Sequence, residues 1–158
     1  MIAQNIIIME HFIGNKFEKN HTKYSLEEIY EYQFKVLFFA ASWSPPCIKL
    51  IEHLVLLYND LNSSEKVLEI IFISCDFTTA EYDEFINKMP WCYVPFSEIG
   101  LRQIVTRHYE VLGIPTMILI DNLGACISNT LLSDISLLES DQCKSLWIKK
   151  VNESHGSL

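Results

Sequence analysis

This sequence predicts an α/β fold, a central mixed β-sheet flanked by helices on both faces. Three observations carry that prediction. A continuous apolar run, Val36 to Ala41, and an isoleucine-rich stretch, Val67 to Ser74, have the length of strands buried on both faces. Between them Ile48, Ile51, Leu54, Val55, Tyr58 and Leu61 recur at three- and four-residue steps, the mark of a helix with one buried side. A third apolar run, Met117 to Ile120, is followed by the turn sequence Asp121-Asn-Leu-Gly124 and by Ala125 to Asn129, which can return as an antiparallel partner.

In chain order, the first ten residues read as a loose end, and so does the polar tail Asn152 to Leu158. The rest reads as a single domain within residues 1–158. Lys16 to Tyr24 is polar and turn-like. Ser25-Leu-Glu-Glu28 has capping-box spacing and predicts a short helix ending near Tyr30. The strand–helix–strand unit from Val36 to Ser74 calls for a parallel, right-handed crossover, its helix ending at Asn62-Ser-Ser64. Thr78-Thr-Ala-Glu81 repeats the capping-box spacing ahead of Tyr82, Phe85, Ile86 and Met89, and Pro90 stops that helix. "PWCYVPF" reads as an aromatic, proline-bracketed connection. Ser97 is placed to cap a helix carrying Leu101, Ile104, Val105 and His108 on one side. A last helix, near Asp141 to Val151 with Ser140 as its cap, turns Cys143, Leu146, Trp147 and Val151 inward.

Composition narrows the function classes. Of 158 residues, 49% are hydrophobic and 20% charged, which suits one globular domain with a sizeable core. A net charge of −8 and no basic stripe argue against nucleic acid and anionic membranes as partners. The amino terminus lacks the basic segment of a signal peptide, and Glu10 and His11 close its short apolar run. No segment reaches the ~18 apolar residues of a membrane span. Five dispersed cysteines without a Cys-x-x-Cys pair suit a reducing compartment, so a soluble, cytoplasmic protein is expected. Cysteines and histidines lack ligand-like spacing, so neither a metal nor a cofactor is expected.

The stretch most suggestive of chemistry is Trp43-Ser-Pro-Pro-Cys47, where the first strand gives way to its helix. Parallel strands bring their carboxyl ends to one edge, so Trp43-Ser44 and Cys75-Asp76 should share the edge that ligands favour in open α/β sheets. Read without its surroundings, the stretch is only a good helix start, with serine at the cap and proline in the first turn. With cysteine at position 44 it would be more. A thiol at a helix N-terminus is stabilised as thiolate by free N–H groups and the helix dipole, and its pKa drops from about 8.5. A second sulfur one turn on then resolves the mixed disulfide.

Here the chain resembles a known family. Trp43-Ser-Pro-Pro-Cys47 is similar to the Trp-Cys-Pro-Pro-Cys motif of tryparedoxins and nucleoredoxins, a branch of the thioredoxin superfamily. "VLFFAASW" resembles that family's first core strand, and Lys88 to Phe96, "KMPWCYVPF", its Met-Pro-Trp…Pro-Phe segment. "GIPTMILID", Gly113 to Asp121, resembles the stretch carrying the superfamily's cis-proline, here Pro115. The likeness extends over about Phe12 to Val151. It implies a thioredoxin-like fold and a thiol–disulfide oxidoreductase. Position 44 would be that of the nucleophile and Cys47 the resolving thiol. Trp43, Pro45, Pro46, Ile114 and Pro115 would shape the substrate site, and Cys75 and Asp76 would support it, with Asp76 bonded to the Trp43 indole. The implied partners are a protein or small-thiol disulfide and a dithiol reductant.

Ser44 is the departure, because a serine forms neither a thiolate nor a disulfide. Three readings stay open. Ser44 stands in place of a cysteine in an otherwise competent oxidoreductase. Alternatively, the chain is a redox-inactive binding or regulatory module that grips peptides at the Trp43/Pro115 edge. In the third, Cys47 acts alone or pairs with Cys75. Cys47 is expected to be half-buried, Cys75, Cys126 and Cys143 to be small core residues, and Cys92 to be structural.

Overall fold

A computed structural model describes residues 1–156. Its elements are α1 (Ile2–Ile13), β1 (Phe17–Lys19), β2 (Thr22–Tyr24), α2 (Leu26–Tyr30), β3 (Phe34–Ala40), α3 (Pro45–Leu61) and β4 (Leu68–Ser74). They continue as α4 (Thr79–Ile86), β5 (Cys92–Tyr93), α5 (Ile99–His108), β6 (Thr116–Ile120), β7 (Cys126–Ser128), α6 (Leu131–Leu137) and α7 (Ser140–Gly156).

One mixed sheet in the order β2-β1-β5-β4-β3-β6-β7 organises the chain. Every residue of β3 and of β4 is buried, the apolar ones as their runs require and Lys35, Glu69 and Ser74 with them. They pair in parallel from Phe34 opposite Leu68 to Ala40 opposite Ser74. β6 lies antiparallel on the other side of β3, with Phe39 opposite Thr116, and β7 returns along β6 as the turn sequence predicts.

Side chains alternate across the sheet and build two cores. Phe34, Val36, Phe38, Ile70 and Phe72 face α3, α4, α6 and α7, packing with Leu54, Phe85, Leu131 and Trp147. Leu37, Phe39, Ile71 and Ile73 face α1, α2 and α5, packing with Met9, Ile13, Ile29 and Val105. The caps read at Ser25 and Thr78 both form complete capping boxes, with Glu28 and Glu81 reaching back.

Four expectations fail. The amino terminus is not loose: it forms α1, which fully buries Met9 and Ile13 against the sheet. Asn152 to Gly156 continue α7, while residues 157–158 of the expected tail lie outside the described residues. Ser97 does not cap α5, whose N-cap position is Glu98 without a side-chain bond. The polar segment Lys16 to Tyr24 folds as the hairpin β1–β2, with Phe17 opposite Tyr24 and Asn20 and His21 at positive φ in its turn.

Candidate active site

Parallel pairing places the ends of β3 and β4 side by side, and Cys75 N–H donates to Ala40 O at 2.9 Å. Cys75-Asp76 therefore lies beside Ala41 to Ser44, as the order of strands predicts. On the other flank β6 begins opposite Phe39, so Pro115 borders the same edge. The Ile114–Pro115 peptide bond is cis. The sheet thus gathers Trp43, Ser44, Cys47, Cys75, Asp76, Ile114 and Pro115 around one strand end.

Ser44 occupies the N-cap of α3, with extended backbone at φ −94° and ψ 113°. Its carbonyl accepts the first helical bond, from Ile48 N–H at 3.0 Å. Its hydroxyl makes no capping bond, although serine at this position was expected to cap. The two prolines explain part of this. A cap hydroxyl takes its bond from the second or third helical residue, and Pro46, the second, has no N–H to give. Ser44 is 5% exposed, while Pro45 and Pro46 beside it lie on the surface.

Cys47 is fully buried in the α3 face of the core rather than half-buried. Cys75 points the other way, partly buried against the α1–α5 face. The two thiols thus pack against different cores, and all five cysteines are free. Burial pushes the Cys75 thiol above its ordinary pKa. The nearby Cys47 and Asp76 add to this, and the Arg102 guanidinium acts against it. Cys92 is buried, its thiol donating to Ile70 O at 3.3 Å. Cys126, expected inside, is exposed on the edge strand β7.

Asp76 does not bond the Trp43 indole. Its Oδ1 accepts from Ser42 N–H at 2.7 Å and from Ser42 Oγ at 2.8 Å, and its Oδ2 accepts from Ser74 Oγ at 2.9 Å. With both oxygens committed to the strand ends, Asp76 anchors the loop that carries Trp43 and Ser44. Trp43, 49% exposed, instead stacks on Phe77, with ring centroids 5.5 Å apart and planes 13° from parallel. Sequence reasoning passed over Phe77 and also Arg102. The Arg102 guanidinium donates to Ser74 O at 3.1 Å and Phe96 O at 2.8 Å and lies 4.3 Å from the Phe96 ring centre. An aromatic three residues past the end of β4 hinted at the first; no local pattern pointed to the second.

Among the described residues no group of three His, Cys, Asp or Glu side chains is placed to hold a metal ion. No helix among them is long and apolar enough to cross a membrane.

A mixed sheet with a cis-proline beside a strand-to-helix turn of this kind defines a thioredoxin-type fold. Comparison with known proteins agrees. Residues 32–125 match the family model described as thioredoxin-like. The chain is 33% identical over 107 residues to nucleoredoxin of Danio rerio, covering 68% of this chain and 25% of that protein. It is 32% identical over 108 residues to nucleoredoxin of Homo sapiens, with 68% and 24% covered. It thus spans about a quarter of the length of these relatives. Among solved structures, tryparedoxin I from Leishmania major superposes with a TM-score of 0.71 at 26% identity, covering 82% of this chain and 92% of that one. Tryparedoxin II in complex with glutathionylspermidine gives a TM-score of 0.75 at 22% identity, covering 82% and 91%. The chain belongs to the thioredoxin-like family, in its tryparedoxin- and nucleoredoxin-like branch.

Proposed function

We propose that this chain carries a thioredoxin-family thiol–disulfide oxidoreductase site in a form that Ser44 prevents from running the dithiol cycle. The supporting observation is the position of Ser44. It sits at the N-cap of α3, one turn ahead of Cys47 and on the edge bordered by Pro115. A thiolate at that cap would attack a disulfide sulfur, forming a mixed disulfide and releasing the other sulfur as a thiol. The Cys47 thiolate would then attack the cap sulfur, freeing the reduced substrate and leaving a 44–47 disulfide for a dithiol to reduce. A serine hydroxyl supports neither step. The substrates are protein or small-thiol disulfides, and the tryparedoxin II neighbour bound to glutathionylspermidine makes thiol conjugates of that kind reasonable trial ligands.

The test is the Ser44→Cys variant, assayed for disulfide reduction with a dithiol donor. The variant is expected to turn over and the Ser44 chain to show only background. A folded Ser44→Cys variant without activity rejects the proposal.

One observation favours a second reading, a redox-inactive module that binds peptides. Trp43 and Phe77 present a stacked, largely exposed aromatic pair at the site's rim, which needs no nucleophile to hold an apolar side chain. Peptide binding by the Ser44 chain that persists unchanged when Ser44→Cys proves inactive would select this reading.

A further inference from the structure

On the side of the sheet that carries α5, an open furrow of about 850 Å3 runs alongside the candidate site. Arg102, Gln103, Thr106 and Arg107 line it, with Ser74 from the end of β4. A hollow of about 440 Å3 continues it. The two share Glu110, Val111 and Leu112, and the second reaches Ile114 and Pro115. The arginine-lined furrow therefore adjoins the hollow that reaches Pro115, on the same sheet edge as Ser44.

Neither arginine has a carboxylate at ion-pair distance among the described residues. Arg102 is held rigidly by its bonds to Ser74 O and Phe96 O and by the Phe96 ring. Its Nε–H is buried without an acceptor. The two carbonyl bonds use one N–H of each terminal nitrogen, which leaves a second N–H on each for an anion, with little side-chain freedom lost on binding. Arg107 lies on the surface of the same helix. Glu110, where the two hollows meet, is the one acidic lining residue. In a chain with net charge −8, this is a local concentration of unpaired positive charge.

We propose that the channel receives an acidic segment of a polypeptide partner, with its carboxylates on Arg102 and Arg107 and the cysteine-bearing part of the partner over Pro115. The Pro115 end of this assignment rests on the thiol–disulfide reading; the arginine end rests on the furrow alone.

The test uses two synthetic peptides, identical except that Glu-Glu in one is Gln-Gln in the other, with serine in place of cysteine. Binding to the Ser44 chain is measured by calorimetry. The acidic peptide should bind up to about fivefold more tightly, the upper end of what an exposed ion pair contributes. That advantage should shrink as salt approaches about 0.5 M, and in Arg107→Gln, whose side chain holds no structural bond, it should fall toward unity. Equal binding of the two peptides, or an undiminished preference in Arg107→Gln, overturns the proposal. Turnover by Ser44→Cys on cysteine-containing versions separates the two ideas. Reduction of both at the same kcat/KM rejects the acidic-partner assignment and leaves the oxidoreductase reading standing. No reduction of either, with the acidic preference in binding intact, rejects the oxidoreductase reading and leaves the furrow.

Discussion

Asp76 Oδ1 accepts from both the amide and the hydroxyl of Ser42, at 2.7 and 2.8 Å, tying the end of β4 to the residue just before Trp43. Asp76 is 5% exposed, so water offers little substitute. Asp76→Ala leaves the Ser42 donors without their acceptor and should cost about 1–3 kcal/mol, read from the urea denaturation midpoint. Asp76→Asn keeps one acceptor and should lose less. Equal losses in the two variants would count against the anchoring role.

Lys35 is 3% exposed in the middle of the sheet, where Nζ donates to Asn122 Oδ1 at 2.7 Å and lies 5.0 Å from the centre of the Tyr30 ring. Burial pulls its pKa down to about 8, with Asp121 acting weakly the other way. A lysine depressed on folding contributes its full stability only above its unfolded pKa, near 10.5, and loses it as pH falls through about 8. At pH 7 the charge therefore opposes folding. Lys35→Met should raise the urea midpoint at pH 7, and its advantage should narrow steadily between pH 8 and pH 10. A constant difference across that range would contradict the argument.

Glu69, fully buried, is the centre of a closed polar network. Its Oε2 accepts from Lys19 Nζ at 2.9 Å and Tyr24 OH at 2.8 Å, and its Oε1 from Tyr58 OH at 3.1 Å. Burial, reinforced by Glu69, raises both tyrosines, which keeps them as donors. Burial pulls Lys19 down, but Glu69 and Tyr32 together outweigh it, so Lys19 stays charged beyond its usual range. Its contribution is full below about pH 10.5 and is lost as pH rises through the folded value. Glu69→Gln removes the counter-charge and should cost about 3 kcal/mol at pH 7, the low end for a broken buried pair because Lys19 is 18% exposed. Thermal melting at pH 7 measures it, and an unchanged Tm would show that the network is dispensable.

Thiol labelling follows from burial. Cys126 is exposed, Cys75 partly buried, and Cys47, Cys92 and Cys143 are buried. Iodoacetamide on the native chain should modify Cys126 first and Cys75 later, leaving the other three until unfolding. Partial desolvation raises the thiol pKa of Cys126 and burial that of Cys75, so labelling of each should accelerate as pH rises above 8. Peptide mass mapping over time checks the order. Early modification of Cys47 would mean that the start of α3 opens in the native state.

The strands β3, β4 and β6 were legible because strands buried on both faces carry a dense apolar signal, even with Glu69 inside β4. Ser25 and Thr78 were legible because a cap and its box lie within four residues. β1, β2 and β5 have two or three residues each, too few to show a period. The apolar run of α1 was visible, but nothing local told that Met9 and Ile13 meet a sheet built from later sequence. The Trp43–Pro115 edge followed from strand order and from motifs. The partner of Asp76 did not, because Ser42 is 34 residues away and the match is purely tertiary.

An oxidoreductase of this kind holds its partner through a covalent bond, and the complex ends when a second sulfur or a reductant breaks it. A serine at the cap of α3 removes that clock. On the proposed reading, a partner on the edge between Trp43 and Pro115 would leave at a rate set by non-covalent contacts alone. Its residence time then answers to salt, temperature and competing ligands, and is indifferent to the redox poise around it.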